Sequence, residues 1–183
     1  MNAFEDIVAQ YLEAEGYWVR QSVKVDISKE EKRALGTYSM PRPEIDLVAL
    51  NVKENELLMV EVKSLLDSYG VWYEAVVGKD SNKEANDRYK LFNNSKFRKI
   101  ITQRLGEEYL KQGLINRRTE FNFALAAGNI HSATDELKIS KYFTKRGWKL
   151  FLPKHIKEKM RQLSEKGYED DVLTIAAKLI LRD

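Results

Sequence analysis

Cysteine is absent from the 183 residues, and histidine occurs only as His131 and His155. Without cysteine the chain can form neither a disulfide framework nor a thiolate metal site. Zinc sites are usually built from cysteine and histidine, so the scarcity of both residue types also argues against zinc. Disulfide-stapled and zinc-stabilised folds are therefore not expected here.

Long apolar runs are also missing, because no stretch of the chain approaches the ~20 residues that a membrane-spanning helix needs. The N-terminal residues MNAFEDIVAQ are acidic and amphipathic, which is unlike a secretory signal peptide. These features predict a soluble, cytoplasmic protein with no membrane partner. The length predicts a single domain over 1–183, with a core of about 1–153 and C-terminal helices over about 154–183.

Charge is unevenly distributed along the chain, although the net charge is only +3. Residues 1–63 carry 8 Lys or Arg against 12 Asp or Glu. Residues 79–118 carry 11 against 5, and residues 138–166 carry 10 against 2. An acidic first third beside two basic tracts is the pattern expected of a carboxylate metal site next to a phosphate-binding surface. Solvated, lysine-rich helix faces explain the basic tracts equally well.

Hydrophobic periodicity predicts the order α-β-loop-β-β-α-β-α-β-α-α, which indicates a mixed α/β sheet covered by helices. The polar residues 28–43 are predicted to form a loop with one helical turn at most. Residues 65–82 contain aromatic residues and two glycines, and this pattern is compatible with either a short strand or a lid-like loop. The predicted strands are 17–27, 44–52, 56–64, 121–129 and 148–153, and the predicted helices are 3–15, 83–112 with a break at Asn93-Asn94, 132–147, 154–166 and 169–182.

Two neighbouring apolar segments, residues 44–52 and 56–64, carry charged residues where buried strands usually have none. Side chains alternate along a strand, so Glu61 and Lys63 project from one face of the second strand. Folding the two strands about the turn between them brings Asp46 opposite Glu61. A shift of the pairing by two residues would place it opposite Lys63, still on the same face. Directly opposed residues have Cβ atoms ~5 Å apart.

The carboxylates of Asp46 and Glu61 would repel at this separation, and one of them is expected to have a raised pKa unless a cation neutralises it. A hard divalent ion such as Mg²⁺ suits two carboxylates together with water and phosphate oxygens. Lys63 would then lie beside the ion, where its ammonium can hold a water or an oxyanion. The alternative is a cross-strand ion pair on a half-exposed sheet, which the apolar flanking residues disfavour.

Asp46, followed on the next strand by Glu61-Val62-Lys63, resembles the motif of the PD-(D/E)XK nuclease superfamily, which includes many restriction endonucleases and archaeal Holliday-junction resolvases. The resemblance implies a restriction-endonuclease-like fold with a mixed sheet in α-β-β-β-α-β order, here with a C-terminal helical extension. It also implies a glutamate on the first helix near the metal, and Glu5 matches that position. The first motif departs from the family pattern, because isoleucine rather than proline precedes the aspartate.

The function implied by this resemblance is a metal-dependent nuclease that hydrolyses phosphodiester bonds, expected to act on DNA and as an endonuclease rather than an exonuclease. Asp46 and Glu61 would hold Mg²⁺, for which Mn²⁺ could substitute. Lys63 would position the attacking water or stabilise the charge on phosphorus, and Glu5 would be a further catalytic residue. The resemblance also favours a homodimer.

Two other functions stay open on the same fold. One is a catalytically silent module that binds nucleic acid or another protein. The other is a nuclease subunit of a defence or mobile-element system that cuts only with a partner. Intact Asp46, Glu61 and Lys63 argue against the silent module, since a lost activity would leave these costly charges free to change.

Basic residues in the first basic tract are candidates for phosphate contacts, although a solvated helix face would have the same composition. Such contacts would provide affinity without reading the base sequence. The candidates are Arg88, Lys90, Lys96, Arg98 and Lys99.

Aromatic residues cluster in the segment that follows the second of the charged strands. Tyr69, Trp72 and Tyr73 could stack on nucleobases, but core packing is the commoner use of such residues and is the favoured interpretation. Glu44 is expected to lie at the surface before its strand. The two histidines are expected to be incidental.

Overall fold

The computed structural model describes residues 3–36, 39, 41–165, 167 and 171–181 and shows a five-stranded mixed sheet flanked by helices. The strands are β1 (Trp18–Lys24), β2 (Glu44–Asn51), β3 (Glu56–Lys63), β4 (Glu120–Ala127) and β5 (Lys149–Phe151). The helices are α1 (Ala3–Ala14), α2 (Lys29–Ala34), α3 (Tyr73–Val76), α4 (Lys83–Asp87), α5 (Lys90–Asn93), α6 (Ser95–Lys111), α7 (Ala133–Thr144), α8 (Pro153–Glu165) and α9 (Val172–Leu181). The strands lie in the order β1-β2-β3-β4-β5, antiparallel from β1 to β3 and parallel from β3 to β5. The mixed α/β architecture and its antiparallel hairpin confirm the coarse prediction from periodicity.

Both faces of the sheet are covered, which explains why β3 is apolar on both sides. Leu58 and Val60 pack on the face that α1 and α8 cover. Leu57 and Met59 pack on the opposite face, which is covered by α3, α5, α6 and α7. Because side chains alternate, the charged residues that end β3 follow Met59 onto the α6 side of the sheet.

The hairpin of β2 and β3 adopts the first of the two registers considered above. Leu47 lies opposite Val60, and continuing that register by one residue places Asp46 opposite Glu61. The turn between the strands includes Asn55 at a φ of 52°, a left-handed conformation that asparagine tolerates better than most residues. The strand alternation and the turn together therefore set which side chains meet at the far end of the hairpin.

The helix predicted over 83–112 with a break at Asn93-Asn94 is divided once more in the structure, which forms α4, α5 and α6 from this segment. The break expected at Asn93-Asn94 is confirmed: the Asn94 side chain caps α6 by accepting a hydrogen bond of 2.9 Å from the N–H of Phe97. A further break at Arg88 and Tyr89 separates α4 from α5. This second break turns Tyr89 into the core, where it is buried.

Residues 65–82 form a loop rather than a strand, apart from α3 and a single bridge that pairs Val71 with Ile130. Residues 28–43 contain the expected helical turn, α2. The limits predicted for the last two helices at 166, 169 and 182 lie outside the described residues. Within the described ranges, no helix combines the length and the apolar character needed to cross a membrane.

Candidate active site

Asp46, Glu61 and Lys63 come together where β2 and β3 separate. The Lys63 ammonium contacts the Glu61 carboxylate, and its Nζ lies 3.7 Å from Oδ2 of Asp46. The side chains of Asp46, Glu61 and Lys63 are only 22%, 16% and 19% exposed. The structure thus brings together, at a largely buried position, the three side chains that strand alternation predicted to converge. Asp46, Glu61 and Lys63 are called the charged cluster, or simply the cluster, from here on.

The position of the Asp46 carboxylate follows from the end of the strand pairing. Paired residues of β2 and β3 stop at Leu47 and Val60, whereas β3 continues beside β4 as far as Lys63. Beyond that point the Asp46 Oδ2 accepts a hydrogen bond of 2.7 Å from the Val62 N–H, in place of a β2 carbonyl. Among the described residues, the contacts of Asp46 with Val62 and Lys63 both use Oδ2.

Burial raises the pKa of Glu61 to about 7, against an ordinary value of 4.5. Lys63 opposes this shift, whereas repulsion from the carboxylates of Asp46 and Glu5 adds to it. The sequence predicted a raised pKa from repulsion alone. The rise is present, but burial is its largest cause. A carboxyl group that titrates near neutral pH is a common feature of active sites.

Lys63 responds in a different way to the same surroundings. Burial by itself lowers the pKa of an ammonium group, but the carboxylates of Glu61 and Asp46 outweigh burial and raise the pKa of Lys63. Lys63 is therefore stabilised as a cation, whereas Glu61 is not stabilised as an anion. Two carboxylates, those of Glu61 and Asp46, act on this single ammonium group, so the three residues together have a net negative charge when all of them are ionised.

The donor groups of the cluster fit a hard divalent cation. Mg²⁺ is usually held by one or two carboxylates, with waters and phosphate oxygens completing its coordination, and Asp46 and Glu61 supply such a pair. Among the residues that the structure describes, no three Asp, Glu, His or Cys side chains are arranged to hold a metal by themselves. A cation here would therefore depend on water or substrate for most of its coordination.

Glu5 and Glu44 relate to the cluster in different ways. Glu5 lies in the first turn of α1, and repulsion from its carboxylate contributes to the raised pKa of Glu61. It is thus electrostatically coupled to the cluster from a helix that covers the opposite face of the sheet. Glu44 begins β2 and is exposed, as the sequence predicted.

Tyr89 is a neighbour of the cluster that sequence reasoning missed. Burial raises the pKa of its hydroxyl to about 12, with Lys63 opposing the shift and Glu61 adding to it. The hydroxyl therefore stays protonated at neutral pH and can donate a hydrogen bond close to the cluster. In the sequence, an aromatic residue within an amphipathic segment indicates only core packing. The break between α4 and α5 is what gives Tyr89 its position.

The five basic residues predicted to contact phosphate differ in their surroundings. Arg88 and Lys90 line a cleft of about 270 Å³ whose wall includes Glu61. Lys90 also forms an ion pair of 3.4 Å with an aspartate three residues earlier. Lys96 and Lys99 are exposed on α6. These four residues remain candidates for phosphate contacts.

Arg98 has a structural role instead. Its Nη1 donates hydrogen bonds to the backbone oxygens of Leu91 and Phe92, at 3.0 and 3.2 Å. Its guanidinium group lies over the Trp148 ring, 4.9 Å from the ring centroid. Burial lowers the pKa of Arg98. These contacts tie α5 to the core and argue against the phosphate contact predicted for this residue.

The interpretation of the aromatic cluster as core is wrong for two of its three residues. Tyr69 is 81% exposed and Trp72 is 42% exposed. Tyr73 is half-buried and packs edge-on against Tyr142, with ring centroids 6.3 Å apart. Hydrophobic character alone could not separate these cases, because the path of the loop decides which rings reach the core.

Both histidines lie outside the charged cluster. The His131 ring stacks on Trp72 with centroids 3.2 Å apart, and its Nδ1 lies 3.2 Å from the backbone oxygen of Tyr69. His155 Nδ1 accepts a hydrogen bond of 3.2 Å from the Leu152 N–H. His155 is thus a local structural residue, whereas His131 supports an exposed tryptophan.

No family model, curated protein or solved structure matches this chain. The resemblance to PD-(D/E)XK nucleases therefore rests on Asp46, Glu61 and Lys63 and on their arrangement in the fold. Because the motif is short, the resemblance depends mainly on its surroundings, which are two buried strands, a shared strand face and a glutamate on the first helix.

Proposed function

We propose that this protein is a metal-dependent nuclease of the PD-(D/E)XK type that hydrolyses phosphodiester bonds of DNA, as an endonuclease. One observation supports this most directly: Asp46, Glu61 and Lys63 converge at a largely buried position with more carboxylate than ammonium charge. Buried charges are costly unless they are compensated, so a purely structural ion pair is expected to be balanced. The surplus of carboxylate charge is what a cation site needs.

Asp46 and Glu61 would hold the metal, Mg²⁺ or Mn²⁺. When bound, such an ion acidifies a water molecule and stabilises negative charge on phosphoryl oxygens. The hydrogen bond from Val62 fixes the Asp46 carboxylate, so that this ligand needs little reorganisation. Glu61 must be ionised to act as a ligand, and its pKa of about 7 places that change near neutral pH.

Lys63 supplies a positive charge that persists over the working pH range, because its pKa is raised by the neighbouring carboxylates. Its three N–H groups allow it to donate hydrogen bonds to Glu61 and to a water or phosphoryl oxygen. A fixed ammonium group beside the reacting phosphate stabilises charge that develops in the transition state. We therefore assign Lys63 the role of positioning water or stabilising the phosphoryl group.

The basic residues near the cluster would bind the phosphate backbone. Arg88 and Lys90 line the cleft that includes Glu61, and Lys96 and Lys99 lie exposed on the helix that follows. Phosphate contacts of this kind provide affinity without sequence information and weaken as salt is added. Binding is therefore expected to fall steeply with ionic strength.

The alternative is a catalytically silent binding module on the same fold. The direct contact between Lys63 and Glu61 is the observation that favours it, because such a contact also occurs in a structural ion pair. In that case the basic surface would bind nucleic acid without any metal-dependent reaction.

A cleavage assay separates these two functions. The protein is incubated with supercoiled plasmid, linear duplex, single-stranded and branched DNA in Mg²⁺ or Mn²⁺, with EDTA as the metal-free control. Loss of supercoiling identifies cleavage within the chain rather than from an end. We expect Lys63→Ala to lose this activity and Lys149→Ala, at the other end of the sheet, to keep it.

Two outcomes would contradict the proposal. If the folded wild-type protein binds DNA and cleaves none of these substrates, the binding module is the better description. If Lys63→Ala cleaves as fast as the wild type, the cluster is not the active site.

A further inference from the structure

The loop over residues 65–72, here called the aromatic loop, exposes two large rings immediately after β3. Tyr69 is 81% exposed and Trp72 is 42% exposed, and both line a cavity of about 300 Å³. Both rings thus present exposed surface at the same cavity. They are available to stack on a ligand.

The aromatic loop is held in place by backbone contacts with the segment that follows β4. The N–H of Val71 donates to the Asn129 oxygen and the N–H of His131 donates to the Val71 oxygen, both at 3.1 Å. The Asn129 side chain donates a hydrogen bond of 2.9 Å to the Ser68 oxygen. Gly70 has a φ of +81°, and a Cβ there would lie 2.8 Å from the Ile130 carbonyl carbon. The loop can approach this closely only because Gly70 lacks a side chain.

The Trp72 ring is also fixed from one side. His131 stacks against it with ring planes 17° apart and centroids separated by 3.2 Å. Trp72 also lines the cavity described above. A ligand that stacks there would meet an ordered ring, so little conformational entropy would be lost on binding.

The cavity adjoins the candidate active site. Arg88 lines both this cavity and the cleft that includes Glu61. Tyr89 also lines the cavity, and its hydroxyl interacts electrostatically with Lys63 and Glu61. A ligand with a planar ring in the cavity could therefore extend an anionic group toward Arg88 and the charged cluster. A nucleotide has these two parts in this order.

We propose that this cavity binds an unpaired nucleobase, stacked on Trp72 and Tyr69, and that the substrate is single-stranded or locally unpaired DNA. The assignment of a substrate rests on the nuclease function proposed above, whereas the base site can be tested without cleavage. A base inside a duplex cannot reach an aromatic ring unless it leaves the stack. Stacking on aromatic rings tolerates every base, so the site is expected to show little sequence preference.

Binding is measured in EDTA, which excludes metal-dependent cleavage. The probes are a fluorescein-labelled oligothymidylate, the corresponding oligouridylate and a blunt-ended DNA duplex with the same number of phosphates, each followed by fluorescence anisotropy. The wild type is expected to bind the single strands more tightly than the duplex. Trp72→Ala and Tyr69→Ala should each weaken single-strand binding about tenfold to a hundredfold and leave duplex binding nearly unchanged. Trp72→Phe should retain most of the affinity.

Trp18→Ala is the matched control, since Trp18 is a 72% exposed tryptophan on β1 at the opposite end of β2 from Asp46. It should bind every probe as the wild type does. Tyr69 is so exposed that its replacement is not expected to disturb folding, which keeps the test valid if Trp72→Ala is unstable. Tight binding of the RNA strand as well as the DNA strand supports a site for the unpaired base rather than for the sugar.

The base site is overturned if the duplex and the single strands bind equally well and neither aromatic substitution changes the affinity. If binding depends on Trp72 and Tyr69 but the protein cleaves none of the substrates, the nuclease function is rejected and the base site is still supported. If instead the protein cleaves single-stranded and duplex DNA and neither substitution changes the rate, the nuclease function is supported and the base site is rejected.

Discussion

Strand β3 begins with one glutamate and carries another near its end, and each of them contacts a lysine, yet the two pairs behave differently. Glu56, at the start of the strand, contacts Lys149. Glu61, near its end, contacts Lys63. The two carboxylates lie on one strand and are both largely buried, yet their pKa values shift in opposite directions.

The negative charge of the buried Glu56 carboxylate is compensated by its hydrogen-bond partners. Burial acts to raise its pKa, but hydrogen bonds from Lys149, Tyr17 and Asn122 outweigh burial, so the pKa of Glu56 is lowered. The Tyr17 hydroxyl donates at 2.7 Å and the Asn122 amide at 3.0 Å. This network joins β3, β4 and β5 to the residue that precedes β1, and it has the properties of a structural ion pair.

Glu61 has fewer compensating groups and more opposing ones. Lys63 is shared with Asp46, and the carboxylates of Asp46 and Glu5 both repel the ionised form of Glu61. The comparison shows that a buried Glu–Lys contact does not by itself indicate function. A pair surrounded by further hydrogen-bond donors is stabilising, whereas a pair surrounded by further carboxylates has excess negative charge that a bound cation can neutralise.

The largest expected effect is a difference in the rate of cleavage between variants of Lys63 and of Lys149. Lys63→Ala should reduce cleavage by about a hundredfold or more, because it removes charge stabilisation at the reacting phosphate. Lys149→Ala should leave the rate of cleavage unchanged and lower the melting temperature. Rates on plasmid DNA and thermal melts of both variants test this contrast. Equal loss of activity in both would mean that the loss reflects folding rather than chemistry.

The two glutamates should differ in their contribution to stability. Glu56→Gln removes charge-assisted hydrogen bonds in a satisfied network and should cost about 1–3 kcal/mol of unfolding free energy. Glu61→Gln in EDTA at pH 8 should cost nothing or stabilise the fold, by up to about 3 kcal/mol, because it removes a buried charge. Urea unfolding measures both. A Glu61→Gln protein as unstable as Glu56→Gln would make Glu61 a structural residue.

The pH dependence of stability should also distinguish the glutamates. The native pKa of Glu61, about 7, lies above its unfolded value of 4.5, so the native state binds more protons between these limits. Its contribution to stability is therefore lost as the pH rises from about 4.5 to about 7. The contribution of Glu56, whose native pKa is lowered, is present above about 4.5 and is lost as the pH falls. Unfolding of metal-free wild type and Glu61→Gln across this range should show the decline toward neutral pH in the wild type alone.

Metal binding should stabilise only the protein with an intact cluster. At tenfold excess over its dissociation constant, Mg²⁺ is expected to add about 1.4 kcal/mol to the unfolding free energy of the wild type. Asp46→Asn can still accept the Val62 hydrogen bond and loses the repulsion with Glu61, so in EDTA it should be as stable as the wild type or more so. It should also lose cleavage and the response to Mg²⁺. A destabilised Asp46→Asn protein, and a wild type indifferent to Mg²⁺, would favour a structural ion pair.

Glu5→Gln should have the smallest effect, since Glu5 is the least of the influences on Glu61. Removing its charge should lower the pKa of Glu61 and shift the pH dependence of Mg²⁺ stabilisation slightly toward acid. Cleavage should fall if Glu5 takes part in the site. If Glu5→Gln cleaves at the wild-type rate and the pH dependence of its stabilisation by Mg²⁺ is unchanged, Glu5 is not part of the site.

The convergence of Asp46, Glu61 and Lys63 could be predicted from sequence because it depends on local rules. Strand alternation and the position of the turn are enough to place these side chains on one face. The break at Asn93-Asn94 was predictable for a similar reason, since a cap acts within one helical turn. The coarse mixed α/β sheet follows from the same periodic patterns.

What only the tertiary structure decided depends on segments distant along the chain. Burial, set by helices packing on the sheet, is the main cause of the raised pKa of Glu61. The same packing engages Arg98 with backbone oxygens and an indole ring, while the bridge between Val71 and Ile130 holds Trp72 at the surface. Composition and periodicity identify which residues are charged or aromatic. Whether such a residue is desolvated, paired or exposed is a property of its three-dimensional neighbours, because the energies of burial and charge interaction depend on distances that the sequence does not contain.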